Sequence, residues 1–386
     1  MRPYPRLACP DRFEPAPGPA EHAEARRKTR LRLIVHVGDM KTGTTSIQAA
    51  LAAGNIPRVG LIVAYPGDEM NHNDYAQALA KPSQGTIKPR VERLRRMIAE
   101  AAPADICILS AEALSNGDPA TILSEINHWL VDLADGVEVI QYARPHFGYL
   151  TSRYVEAIKT GAHDGSLEEW ITRMIAEGRH RICRRADIWA EALGDRFTIR
   201  PFLRGELARG DAVADFFQNV LGPLPEGWTP PPAANETLPP DAVEALRILH
   251  RQTATLPRSF RAPLGRQFAT LYSEIFGHRP AAKVMPAPDL ARRIHEACAE
   301  DAEQLDERHF GGRGVMRAAL DRDLQECLAP KRVEAAPLTA AEITALMGRL
   351  ICDLAQHMDV DKAGQQLHRS RQTVLTAAAS LPVTPK

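Results

Sequence analysis

Short apolar runs rich in β-branched residues alternate, through the first half of the chain, with stretches whose apolar residues recur every three or four positions. Leu31 to Val37 is the first such run and reads as a buried strand. Ile47 and Leu51, four apart, give the stretch 47–53 the inward stripe of a helix. Gly60 to Pro66 reads as a second strand ended by its proline, and a helix follows near Tyr75 to Leu79. Val91, Leu94, Met97 and Ile98 share one face of a helix over 89–102, and Asp105 to Ser110 is another buried strand. Val137 to Arg144 is the next strand, stopped by Pro145; Leu150, Tyr154 and Ile158 then recur on a helix that begins near Phe147. Ser166 to Gly194 reads as helical, with Trp170, Ile171, Met174 and Ile175, then Ile182, Ile188, Trp189 and Leu193, as core positions. Arg196 to Phe202 is the last core strand, and Asp211 to Leu221 a helix carrying Val213, Phe216, Phe217 and Leu221.

This alternation predicts an α/β fold with a mainly parallel central sheet covered on both sides. A proline-rich crossing at 223–240 ends it, and the pattern becomes wholly helical near 240–254, 262–276, 288–306 and 313–328. After Pro330 to Pro337, Thr339 and Glu342 form a capping box, Leu338 is placed to staple to Ile343, and Ile343, Leu346, Met347, Leu350 and Leu354 mark a last helix. The expected organisation is a mobile tail over 1–29, an α/β core over 30–222, a helical extension or lid over 223–330, and a C-terminal helix with a loose tail over 331–386. The first segment holds six prolines and then a charged run, Glu21 to Arg30, whose Arg26, Arg27, Lys28 and Arg30 read as a solvated face. There is no internal repeat.

Composition changes this picture little. With 386 residues, 25% of them charged and 44% hydrophobic, the chain suits an ordinary soluble protein with a large core. The net charge of zero gives no global steering toward nucleic acid. No apolar run approaches the roughly 20 residues that span a bilayer, and the first thirty residues lack the apolar core of a secretory signal. The six cysteines form no Cys-x-x-Cys pair, which argues for reduced thiols in a cytoplasmic protein and against a zinc site. His295-Glu-Ala-Cys-Ala lacks the second histidine of a zincin.

The chemistry concentrates after the first strand, in Gly38-Asp-Met-Lys-Thr-Gly-Thr-Thr-Ser46. A strand, a glycine loop and a helix N-terminus together make an anion cradle, because loop amides and the helix dipole point at the ligand. A nucleotide-triphosphatase loop places lysine directly after its second glycine. Here Lys41 comes two places before Gly43, and Thr44 fills the usual lysine slot. This Lys-Thr-Gly-Thr-Thr order resembles the 5'-phosphosulfate-binding loop of sulfotransferases that use 3'-phosphoadenosine-5'-phosphosulfate (PAPS), with Met40 where that family usually has proline. About 100 residues on, Arg144 leaves a strand end and Ser152 lies on the following helix. An arginine fork plus a hydroxyl suits a terminal phosphate, and the Arg-Pro-x₆-Ser-x-Tyr pattern looks like the second sulfotransferase motif, which grips the 3'-phosphate. The order of the segments is similar to bacterial-type sulfotransferases over roughly residues 31 to 325, with sharp motifs at 36–46 and 144–154.

The resemblance implies a three-layer P-loop-type fold and sulfuryl transfer from PAPS to a hydroxyl or amine, a saccharide hydroxyl first among acceptors, without a metal. Lys41, Thr42, Gly43, Thr44, Thr45 and Ser46 would hold the phosphosulfate, and Arg144 and Ser152 the 3'-phosphate. Lys41 would stabilise the charge that builds on the bridging oxygen. The general base is His72 first, on the polar loop 67–74, then Glu112 at the end of the strand 105–110, with Glu69 a third candidate. The basic cluster Arg179, His180, Arg181, Arg184 and Arg185 reads as a solvated helix face. A P-loop kinase, which needs lysine at position 44 and a strand-end aspartate for Mg²⁺, and a non-catalytic nucleotide-binding module of the same fold are the competing expectations.

Overall fold

In the computed structural model, residues 31–39, 41–67, 69–81, 87–101, 104–232, 238–277, 279, 282–329 and 337–357 are described. The tail expected over 1–29, the end of the chain after 357, and Met40 lie outside them. Among the described residues, five strands form one all-parallel sheet: β1 (Arg32–Val37), β2 (Val63–Ala64), β3 (Ile106–Ala111), β4 (Gly136–Ala143) and β5 (Phe197–Pro201), in the order β2-β3-β1-β4-β5. The helices are α1 (Thr44–Ala52), α2 (Asn73–Ala80), α3 (Ile87–Glu100), α4 (Pro119–Leu130), α5 (His146–Lys159), α6 (Leu167–Ala176), α7 (Cys183–Leu193), α8 (Ala212–Leu221), α9 (Pro240–Gln252), α10 (Arg258–Phe276), α11 (Pro288–His309), α12 (Val315–Leu328) and α13 (Ala340–His357).

The period of two along each strand separates two cores. On β1, Leu33, Val35 and Val37 join a cluster with α2, α3, α4 and the α7 residues Trp189 and Leu193. Ile34 of β1 faces the other way, with Ile106 and Ile108 of β3, Ile47 and Leu51 of α1, and Val213, Phe216 and Phe217 of α8. The sheet is thus covered by helices on both faces, which is why its central strands read as continuous apolar runs rather than as alternations. β1 is bordered by β3 on one side and β4 on the other, while the chain leaves β1 toward β2 and leaves β4 toward β5. Such a reversal of direction opens a crevice at the carboxyl ends of the two strands, where open parallel sheets bind ligands.

Several elements differ from expectation. The strand expected over 60–66 shrinks to Val63–Ala64, with Leu61 and Ile62 exposed at the sheet edge; Ile62 is tied through its amide to the Asp105 carboxylate and through its carbonyl to the amides of Asp105 and Ile106. The helical stretch over 166–194 breaks into α6 and α7, because Gly178 adopts φ +66° and ends the first. α6 opens with a capping box of Ser166 and Glu169. The expected capping box of Thr339 and Glu342 does open α13, while Ile343 stays 40% exposed.

The chain divides into two compact units that interleave in sequence. One draws on Met1–Pro145, Arg181–Ala234 and Asp301–Met316, and it carries the sheet. The other draws on His146–His180, Asn235–Glu300 and Arg317–Lys386 and is helical in its described residues. Residues 146–180, expected with the sheet core, thus group with the helical half. Within that unit α10 crosses the end of α5 so closely that a Cβ on Gly265 would lie 1.9 Å from the Lys159 carbonyl oxygen. No described helix is long and apolar enough to cross a membrane.

Candidate functional site at the carboxyl ends of β1, β3 and β4

β1 delivers the loop Gly38–Gly43 into the crevice, and the loop is held from within. The Asp39 carbonyl accepts from the Thr42 amide (3.3 Å), the Thr42 hydroxyl (2.6 Å) and the Thr44 hydroxyl (3.4 Å). Thr42 and Thr44, expected among the ligand-holding groups, are buried and spend their hydroxyls on this internal knot. A Cβ at Gly38 would come within 2.3 Å of the Thr44 hydroxyl, so the loop closes this tightly only on glycine. Gly43 caps α1 at φ +74°, with a virtual Cβ 2.5 Å from that of Ala212 on α8. No side chain caps α1, and no acidic residue stands in its first turn. An uncapped, acid-free helix start leaves its amides and the positive end of its dipole available to an anion. Thr45 is exposed there and Ser46 is 8% exposed.

Lys41 sits half-buried in this loop at φ +64°, a left-handed conformation that costs a residue with a Cβ on the order of 1 kcal/mol. Its carbonyl accepts from Nη1 of Arg144, the residue that follows β4, at 2.7 Å. The two cationic residues selected 103 positions apart therefore meet across the β1/β4 crevice. Ser152 lies on α5, in the helical unit, and its hydroxyl donates to the Gly148 carbonyl one turn earlier.

On the other side of β1, the end of β3 is a polar hub around Ser110. Gln48 Nε2 of α1 donates to the Ser110 hydroxyl (3.1 Å), and that hydroxyl is hydrogen-bonded to His36 Nδ1 on β1 (2.8 Å). The Ser110 amide donates to His72 Nδ1 (3.1 Å), and His72 Nε2 donates to the Pro66 carbonyl (2.7 Å). The His72 amide closes the loop on the Ser110 carbonyl at 2.9 Å. His72 is 3% exposed, and burial lowers its pKa, outweighing the two backbone bonds, which raise it. Nδ1 thus ties His72 to β3 and Nε2 ties it back to Pro66, a bracing arrangement that occupies both ring nitrogens. Glu69 is exposed on that segment. Glu112 follows β3 directly, half-buried at the start of the short turn 112–116.

Sequence reading passed over His36, Gln48 and Ser110. The signal was present, since a histidine and a serine interrupt two otherwise apolar strands, but their partnership depends on the register His36↔Ser110. His36 is fully buried, with its Nε2 lacking a hydrogen-bond partner among the described residues and its ring against Phe216 (centroids 5.1 Å). Burial alone pushes the imidazole down to about 3, so it is neutral.

β5 and α8 are locked beside the crevice by Asp215. Its carboxylate accepts from Arg200 (2.8 and 3.1 Å), the Tyr142 hydroxyl (3.0 Å) and the Ala208 amide (2.8 Å). That pairing satisfies a fully buried acid, and it fixes α8 where Ala212 meets Gly43. Taken together, the site presents an open helix start, one lysine and one arginine at adjacent strand ends, and a carboxylate at the third. It suits a polyanionic ligand. Comparison of the chain with protein-family models, with curated proteins and with solved structures finds no match.

Proposed function

We propose that this chain is a PAPS-dependent sulfotransferase of P-loop type, transferring the sulfuryl group to a hydroxyl or amine. The observation that carries the reading is the bond from Arg144 Nη1 to the Lys41 carbonyl, which joins the two sequence motifs at the carboxyl ends of neighbouring strands. A donor with a 5'-phosphosulfate and a 3'-phosphate asks for two cationic groups, and a rigid amide-lined loop fits the first of them. The donor supplies an activated sulfuryl group on a phosphate leaving group.

The residues divide the work. The α1 amides at Thr44, Thr45 and Ser46 and the Thr45 hydroxyl bind the phosphosulfate end. Lys41 is aimed by its left-handed backbone and opposes the negative charge that grows on the bridging oxygen, a stabilisation larger in the transition state than in the ground state. Arg144 binds the 3'-phosphate and, through the Lys41 carbonyl, holds the lysine's backbone. Glu112 takes the acceptor proton, and His72 positions the segment beside it. Saccharide hydroxyls are the first acceptor class to screen.

The test is isothermal titration of the full chain with 3',5'-adenosine bisphosphate in EDTA, run beside Mg·ATP. Metal-independent binding that is weakened in Arg144→Ala supports the reading, and turnover with PAPS should then vanish in Lys41→Ala. Binding of Mg·ATP with none of the bisphosphate would overturn it in favour of a kinase-like activity.

A further inference from the structure

A second cluster lies on the α7 side of the sheet, away from Lys41 and Arg144 in sequence and sharing no residue with them. Cys183 opens α7, Asp187 stands one turn later on the same face, and His309 is the last residue of α11. One potential ligand atom from each lies within 4.8 Å of the others. The thiol sulfur is 3.7 and 3.8 Å from the two Asp187 oxygens, and His309 Nε2 is 2.9 Å from Asp187 Oδ1. Zinc bonds of about 2.3 Å to sulfur and about 2.0–2.1 Å to nitrogen or oxygen set neighbouring ligand atoms roughly 3.3–3.6 Å apart in a tetrahedron. The observed edges bracket that range, so shifts of a few tenths of an ångström on the two Asp187 edges bring them to it.

We propose that Cys183, Asp187 and His309 form a zinc site. The donor set of one sulfur, one imidazole and one carboxylate is the mixture that zinc accepts. A thiolate and a carboxylate neutralise the divalent charge, which a buried ion requires. The surroundings are arranged as an outer shell. Arg308 Nη1 holds the other Asp187 oxygen at 2.7 Å, turning Oδ1 toward His309. Asp301 fixes the first turn of α7 by accepting from the amides of Ile182 (2.8 Å) and Cys183 (3.2 Å). Cys183 is fully buried, and the His309 side chain is 8% and the Asp187 side chain 24% exposed, so the fourth position falls to water on the Asp187 side. Burial of the sulfur sets aside a Cys-His-Asp nucleophile, which must reach substrate. The zinc would clamp the start of α7 to the end of α11 and takes no part in sulfuryl transfer.

The experiment is titration of the metal-stripped full chain with Co²⁺, read as thiolate-to-cobalt charge-transfer absorption, and then displacement by Zn²⁺. One equivalent bound with that band is expected, lost in Cys183→Ser, retained in Cys352→Ser, and weakened in His309→Gln by at least the roughly 10–100-fold typical of lost outer-shell partners. X-ray absorption of the wild-type zinc form reads the same site without any substitution, with one sulfur at about 2.3 Å among nitrogen and oxygen scatterers. Absence of Co²⁺ uptake, a spectrum without sulfur, or a band that survives in Cys183→Ser would overturn the proposal. Each leaves bisphosphate binding at the β1/β4 crevice unaffected, so the two readings fail separately.

Discussion

Arg144 Nη1 donates to the backbone carbonyl of Lys41 across 2.7 Å, although the two residues stand 103 positions apart. The arginine is thereby part of the lysine's support, and under the proposed function it also binds the donor's 3'-phosphate. Arg144→Lys keeps the charge but loses the planar fork that can hold a carbonyl and a phosphate together. A lost charge-assisted hydrogen bond is worth about 1.5–3 kcal/mol, so affinity for 3',5'-adenosine bisphosphate should fall on the order of 10–100-fold by isothermal titration. An unchanged affinity would remove Arg144 from the site.

Lys41 carries a second expectation, because its φ of +64° is unfavourable for any residue with a Cβ. Lys41→Gly and Lys41→Ala both delete the side chain, yet only glycine relieves the backbone. The glycine variant should be the more stable of the two by about 1 kcal/mol in urea unfolding, and both should lack turnover. Equal stability of the pair would mean that the loop does not hold this conformation in solution.

How far the sequence could be read depended on whether a feature is local. β1 and β3 announce themselves because strands buried on both faces are almost continuously apolar, β4 and β5 because a short apolar-rich run is ended by a proline, and the loop 38–46 is legible because its glycines sit at fixed offsets. The edge strand is shorter than the apolar run 60–66, since only Val63 and Ala64 pair with β3 while Leu61 and Ile62 stay exposed. α4 went unread although Ile122, Leu123, Ile126 and Leu130, all buried, recur at helical spacing after Asp118 and Pro119. The site divides the same way. Lys41 and Arg144 follow from motif and strand end. The bracing of His72, the Ser110 hub and the grouping of Cys183 with His309 come from strand register and helix docking, which no spacing encodes.

Gly43 is where loop and fold constrain each other. A methyl group there would stand 2.5 Å from the Ala212 Cβ of α8, at a φ of +74° that already disfavours a side chain. Gly43→Ala should therefore destabilise the chain by about 2–4 kcal/mol, with overlap and backbone both contributing. Adding Ala212→Gly removes the overlap and leaves the backbone penalty, so the double variant should recover part of the loss. A double-mutant cycle in urea unfolding should give a coupling within the roughly 0.5–3 kcal/mol seen for touching residues. A coupling of zero would separate α8 from the loop.

His36 makes the Ser110 hub sensitive to acid. Its Nδ1 is hydrogen-bonded to the Ser110 hydroxyl at 2.8 Å, and burial lowers its pKa from 6.5 to about 3. The unfolded chain takes up a proton below about 6.5, whereas the folded chain refuses it until about 3. The stability associated with neutral His36 is thus fully present above the unfolded value and is lost as pH falls through this window. One proton of difference gives a limiting slope of about 1.4 kcal/mol per pH unit. His72, also depressed by burial, adds to the same window, so the wild-type slope alone does not isolate His36. His36→Gln removes one titration while keeping a group that can bond Ser110. Between about pH 7 and about pH 4, its unfolding free energy should fall less steeply than the wild type's by up to one proton's worth. Parallel slopes would show that His36 titrates alike in the folded and the unfolded chain, so that burial does not hold it neutral.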